Sequence, residues 1–261
     1  MDWIYQLPNW LFFLFCVGST IAFAITGLKL IQPWVKSHAD KYPDQNDLVS
    51  YYLGASGVIY GIALGLVAAG VWANFQGLSA QADEEAAIVG TLYQDMSTYP
   101  QPQRQQFQQA LRTYTQTVIR QDWPDHQQGI VPHASGRVLR DFKLAFFDFT
   151  PNTARLKLIH EQALTQFNDL AKTRRLRLRG NQDNLPPIFW WVIILGTAIN
   201  LAISWFFVTQ HPAYQLLLTI LIALLLGSLL FLIAAMDNPF RGSFSVDPGA
   251  FEAVLSQMSQ N

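Results

Sequence analysis

Two clusters of charged side chains offer chemistry in this sequence. Asp83-Glu84-Glu85 sets three carboxylates in a row. Such a run suits the solvated first turn of a helix, where the dipole favours negative charge; repeated by symmetry around an axis, it sets a field at a pore exit. Arg174-Arg175-Leu176-Arg177-Leu178-Arg179 is a basic run. It reads as a juxtamembrane topology signal that also meets anionic lipid heads. Nucleic acid is disfavoured as a partner, because the formal net charge is −1 and the run abuts an apolar stretch. Of the five histidines, only His126 and His133 are close in sequence, in a Pro- and Gly-rich stretch without a cysteine, which is a poor zinc site. His160 beside Glu161 reads as a solvated helix face. Phosphate-binding and dinucleotide-binding glycine loops, His-Glu-x-x-His and Cys-x-x-Cys are all missing, and no nucleophile stands with a base. The expectation is a protein that is not an enzyme and takes no cofactor and no metal.

The elements that position these groups follow from where the charge is not. Only 13% of the 261 residues are charged, about half of the roughly 25% usual in soluble domains. Trp3 to Leu28, Leu48 to Ala82 and Asn184 to Met236 carry none at all. Each gap holds a stretch of about 20 apolar residues, enough to cross a hydrocarbon core. Four spans are predicted: 10–31, 54–75, 188–209 and 213–236. Gln210-His211-Pro212 joins the last two, which forces an antiparallel hairpin, and Pro212 suits the first turn of the fourth helix. Lys29 lies near the end of the first span, where it can snorkel. Trp3, Tyr5, Trp10, Tyr51, Tyr52, Trp72, Phe75, Trp190 and Trp191 mark the span edges as an aromatic belt does. A cleaved signal peptide is the other reading of the first span, but no Lys or Arg precedes it and the apolar run is long for that role. Cys16, the only cysteine, lies inside an apolar run, which excludes a disulfide scaffold.

This divides the chain into a transmembrane pair (1–77), a polar insert (78–184), a transmembrane hairpin (185–236) and a tail (237–261). The positive-inside rule puts the termini and the insert in the cytoplasm of a multi-pass inner-membrane protein: the basic run and Arg241 lie on that side, against Lys29, Lys36 and Lys41, offset by Asp40, Asp44 and Asp47, on the other. In the insert, Phe107, Leu111, Tyr114 and Val118 form one helical stripe. Leu156, Ile159, Ala163 and Leu170 form a second, with Asn152 as its predicted N-cap. Breaks at Tyr99-Pro100, Trp123-Pro124, Gly129, Pro132 and Pro151 predict about four helices. No breaker beyond Gly77 separates the second span from Ala80–Ser97, so one long helix is expected there. The fold class is an all-α membrane protein.

The second span has two stripes at four-residue spacing. Gly57, Gly61, Gly65 and Ala69 are small enough for helix backbones to approach closely. Val58, Ile62 and Leu66 lie beside them, and an apolar lining of this kind can gate a channel by dewetting. No span carries an ionisable residue at its middle, which argues against a proton relay or ion-coupled carrier.

With these features the layout resembles the bestrophin-like family of bacterial and plant membrane proteins and, more distantly, the bestrophin anion channels. The resemblance covers most of the chain. It rests on Asp83-Glu84-Glu85-Ala86 with Leu92-Tyr93, Tyr114, Trp123-Pro124, the Arg174–Arg179 run leading to Leu185-Pro186, and Asp237-Asn238-Pro239-Phe240. It implies a homo-pentamer in the lipid bilayer that passes monovalent anions such as chloride, with a neck at Gly54, Val58, Ile62 and Leu66. Bulky aromatics are missing from that neck. The acidic run that binds calcium after Asn-Pro-Phe-Gly is also missing, Arg241 standing before Gly242. Asp237 is expected to cap or staple the end of the fourth span. A scaffold or sensor whose cytoplasmic helices bind a partner protein is the other reading of the same layout.

Overall fold

The computed structural model describes residues 7–38, 43–180 and 184–260, so Trp3, Tyr5, Asp40 and Lys41 lie outside it. Regular structure among the described residues is helical throughout. The α-helices are α1 (Asn9–His38), α2 (Gln45–Asp95), α3 (Gln103–Thr117), α4 (Trp123–Gln127), α5 (Ala134–Asp148), α6 (Ala154–Arg179), α7 (Pro187–Ser204), α8 (Pro212–Met236) and α9 (Gly249–Gln260). Four of them, α1, α2, α7 and α8, are long and apolar enough to cross a membrane. The uninterrupted stretch from Leu48 to Asp95 does form one helix, α2. The chain divides into two compact units, Met1–Ala73 with Leu185–Asp237, and Asn74–Asn184 with Asn238–Asn261.

In the first unit α1, α7 and α8 pack around Ala24, Leu28, Ile193, Leu201, Trp205, Ala223 and Ile233. Between apolar helices in lipid, close shape and hydrogen bonds hold a bundle together, since apolar contact alone gains little over lipid tails. The shape is made by glycines. A Cβ at Gly27 would enter the Trp205 ring, and one at Gly227 would stand 2.9 Å from the Val17 Cα. At the latter contact the Thr20 hydroxyl crosses from α1 to donate to the Ala223 carbonyl at 3.0 Å.

The third span is shorter than its apolar composition predicts. α7 stops at Ser204, and Trp205–His211 is a non-helical connection. Side-chain amides replace its helical hydrogen bonds. Gln32 donates to the carbonyls of Trp205 and Phe207, Gln45 to that of Phe206 and Gln215 to that of Phe207. Asn46 grips both the carbonyl and the N–H of Val208. Apolar composition could not reveal a break whose donors come from three other helices. Pro212 opens α8 as expected.

The second unit has an aromatic core in which Phe107 meets Phe146 edge-on at 5.3 Å and Phe142 stacks on Phe146 at 5.1 Å. Both predicted stripes face this core: Phe107, Leu111, Tyr114, Val118, Leu156, Ala163 and Leu170 are buried, and Ile159 packs against them. The tail belongs to the same core, through Phe240, Val246, Phe251 and Met258. Three local readings are corrected. Thr153, not Asn152, caps α6, its hydroxyl accepting from Leu156 N at 3.1 Å. Trp123-Pro124 does not break the chain, because a π-helical turn, Val118–Asp122, leads from α3 into α4 and Pro124 lies in the first turn, where a missing N–H is harmless. The real stop is Gly129 at φ +76°, where Gly129 N bonds His126 O and Ile130 N bonds Asp125 O in a Schellman motif.

His160 is the third correction. It is buried, not solvated, among Tyr99, Phe146 and Phe149, and its Nδ1 pairs with the Tyr99 hydroxyl at 2.8 Å. Burial lowers the imidazole below its ordinary value, with Glu161 pulling the other way. The unfolded chain therefore takes up this proton first, near about pH 6.5, and stability falls as the pH drops through that value toward the folded one. Between about pH 7 and 5 the thermal midpoint of His160→Phe should fall less than that of the parent. Identical slopes would remove His160 from the acid response.

Candidate functional site

Within the first unit, α2 is covered along one stripe. Leu53, Ser56, Tyr60, Leu64, Val67 and Val71 are buried or half-buried, and the residues between them are mostly exposed. Only 11% of the most apolar stretch of α2 is buried, against 28% in each of the other three membrane-length helices. At about 100° per residue, Gly54, Val58, Ile62 and Leu66 lie roughly opposite that stripe. Val58, Ile62 and Leu66 are 61–71% exposed. Gly57, Gly61, Gly65 and Ala69 lie on the flank between the two. A Cβ added at Gly54, Gly57, Gly61 or Gly65 would meet no atom within 4 Å among the described residues, so this small-residue stripe is open.

The covered side of α2 meets α7 through polar contacts. The Tyr60 hydroxyl donates to the Ile193 carbonyl at 2.6 Å and pairs with Thr197 Oγ1 at 2.7 Å. Ser56 donates to Asn200 Oδ1 at 3.1 Å, while Asn200 Nδ2 returns to the Gly196 carbonyl of its own helix at 2.9 Å.

The two charged runs meet inside the second unit. Asp83 and Glu84 are exposed, but Glu85 is fully buried. The triplet therefore does not act as one solvated patch, nor does it open a helix, since it lies well inside α2. Arg177 is likewise fully buried, so the basic run does not face lipid heads as a unit. Its guanidinium clasps Glu85 at two points, Nε to Oε2 at 2.8 Å and Nη2 to Oε1 at 3.1 Å, and Nη2 reaches Asp122 at 3.5 Å. Tyr114 donates to Glu85 Oε1 at 2.6 Å. Arginine has no acceptor, so the 2.9 Å contact of Nη1 with His126 Nε2 makes that nitrogen the acceptor. Asp122 accepts from the backbone N and hydroxyl of Ser135, and Arg174 Nε donates to that hydroxyl at 2.8 Å. Arg175 and Arg179 remain exposed.

Burial works against the charge of Arg177, but the charge and hydrogen bonds of Glu85, with Tyr114 and Asp122, hold the guanidinium above its ordinary pKa. Tyr114 is pushed well above the ordinary phenol value by burial and by Glu85, so it stays a donor. Asp122, His126 and Ser135 were not singled out as partners of this site in the sequence. They come from separate breaks and turns, and only Trp123-Pro124 marked the region.

The tail closes over the cluster. Phe240 stacks on His126 at 4.4 Å, and Trp123 Nε1 donates to the Val246 carbonyl at 3.1 Å. Trp123 and Phe251 lie 5.2 and 5.8 Å from the guanidinium carbon of Arg177, within the range of cation–π attraction. In the motif itself, Asn238 and Pro239 lend their carbonyls to Arg241 N and Val246 N. Asp237, at the end of α8, staples the hairpin of the first unit: Oδ1 accepts from Leu185 N at 2.7 Å and Oδ2 from the Trp190 indole at 3.1 Å. Burial pushes its carboxyl up, and these two donors pull it back. Among the described residues no group of three His, Cys, Asp or Glu side chains could hold a metal ion.

The Bestrophin-like domain profile matches residues 17–251, and the chain belongs to this family. Its fold is shared by two variants of a bacterial bestrophin homolog from Klebsiella pneumoniae, at TM-scores of 0.66 and 0.65 with 12% and 13% sequence identity. Each alignment covers 95% of this chain and 99% of the other. No curated protein matches the sequence.

Removing one member of the buried pair leaves the other charge uncompensated, which costs about 3–5 kcal/mol. Arg177→Met should destabilise the purified protein by that order in a denaturant titration. Adding Glu85→Gln to it should recover part of the loss. If the double variant is no more stable than Arg177→Met, the two charges are not coupled as drawn.

Proposed function

We propose that the protein is an oligomeric, bestrophin-like membrane channel that passively conducts monovalent anions such as chloride, with α2 lining the pore. The observation that carries this reading is the division of α2 into two faces. One is engaged with α7 of its own chain; the opposite one presents Gly54, Val58, Ile62 and Leu66, left exposed by the described residues. Copies arranged about an axis give that apolar face a partner, and the open flank of Gly57, Gly61, Gly65 and Ala69 lets neighbouring backbones come close. The family membership supports a homo-pentamer in a cell membrane, with the termini and the α3–α6 segment cytoplasmic as the basic charge bias suggests. A narrow apolar neck excludes ions by dewetting until it widens. The absence of aromatics makes this gate wider or less hydrophobic than an aromatic neck, and the missing acidic run argues against calcium gating.

A second reading, a non-conducting scaffold or sensor, is favoured by Leu144, Phe147 and Leu158, exposed apolar residues on α5 and α6 that a partner protein could cover.

Purified protein in liposomes should pass chloride down its gradient. Ile62→Ser should raise the flux several-fold, since a hydroxyl keeps the neck wet. Vesicles that stay tight to chloride with inserted, oligomeric protein would leave the scaffold reading in place.

A further inference from the structure

Resting on the pore reading of α2, we propose that Tyr60, seated in a notch at Gly196, is the positioning residue that fixes the rotation of α2 and so selects which side chains line the neck. The first observation is steric. A Cβ at Gly196 would enter the Tyr60 ring, so the ring occupies space that any other residue on α7 would fill. The second is polar. The ring reaches across α7 to place its hydroxyl on the Ile193 carbonyl and on Thr197, two directional bonds that a rotated helix could not keep. The third is that the neighbouring side chains α2 turns into the first unit, Leu64, Val67 and Val71, are apolar and supply no directional bond. Beyond Tyr60 the seam opens into a wholly apolar groove of about 190 Å³, bordered by Ala63 and Val67 on one side and Ile188 and Val192 on the other. One turn before it Ser56 bonds Asn200, and the start of α2 is tied by Gln45 and Asn46 to the Trp205–His211 connection.

The geometry makes rotation consequential. Val58 and Ile62 are each two residues from Ser56 and Tyr60, about 200° away around the helix. A turn of about 100° brings Gly57 and Gly61, or Ile59 and Ala63, to the position they hold. A bulky ring fitted to a glycine therefore acts as a key, with hydroxyl bonds as its latch.

Register is read by single cysteines at positions 57, 58, 59, 61, 62 and 63 in a Cys16→Ala background, reacted in liposomes with a charged, membrane-impermeant thiosulfonate reagent. With the native key, block of chloride flux should be confined to positions 58 and 62. Gly196→Ala, which expels the ring, should spread block to the neighbouring positions. Tyr60→Ala, which empties the notch without adding bulk, is run beside it and should do the same, while Tyr60→Phe should give an intermediate pattern. Gly18→Ala, where a Cβ meets open space, should change nothing. Block that stays at 58 and 62 in both Gly196→Ala and Tyr60→Ala overturns the key and leaves the pore reading intact. Block centred elsewhere in the native background overturns the pore register, and this inference with it.

Discussion

In a membrane, an apolar helix has no reason to prefer another apolar helix over lipid unless the two fit closely or bond. That constraint governs the first unit. Its contacts are made where a glycine lets a ring or a backbone in: Gly27 under Trp205, Gly227 against Val17, Gly196 under Tyr60. Hydroxyls and amides then cross between helices at these places. α2 is the exception, because only a narrow stripe of its most apolar stretch is covered, and Val58, Ile62 and Leu66 on the opposite face are exposed. Gly54, Gly57, Gly61 and Gly65 of α2 are thus open, whereas Gly27, Gly196 and Gly227 are filled.

The second unit solves a different problem. Two carboxylates and a guanidinium are taken fully out of water, a large desolvation cost that only dense pairing offsets. The chain supplies that pairing from five places: Glu85 on α2, Tyr114 on α3, Asp122 and His126 around the π-helical turn, Ser135 on α5, and Arg174 with Arg177 on α6. Because each group depends on the others for hydrogen bonds, the cluster fixes how the helices meet more sharply than their apolar stripes can. Glu85 is the member of this arrangement that α2 supplies.

Most of the helices were legible in the sequence, because charge-free stretches and 3.6-residue stripes report burial directly. The long α2, the start of α8 and the faces of α3 and α6 follow from them. What pattern could not show was pairing at a distance. Glu85 looks like Asp83 and Glu84, and Arg177 like its basic neighbours, until Arg177 and Glu85 are brought together across the core. The seam face of α2 was hidden for a similar reason. Tyr60 reads as one more apolar ring until Gly196, on another helix, is seen to make room for it. Trp205–Val208 reads as helix because its carbonyl partners are amides from elsewhere in the chain.

The place of the tail in the second core sets an order of events during synthesis. Phe240, Val246, Phe251 and Met258 follow α8 in the chain, yet they complete a core begun at Leu78. Until they arrive, Trp123 lacks the acceptor for its indole and Arg177 and His126 lack part of their aromatic cover. The α3–α6 segment must therefore wait, incompletely closed, while α7 and α8 are made. Domains usually fold in the order of translation; here α3–α6 close only after two later helices, α7 and α8, and the segment that follows them have been made.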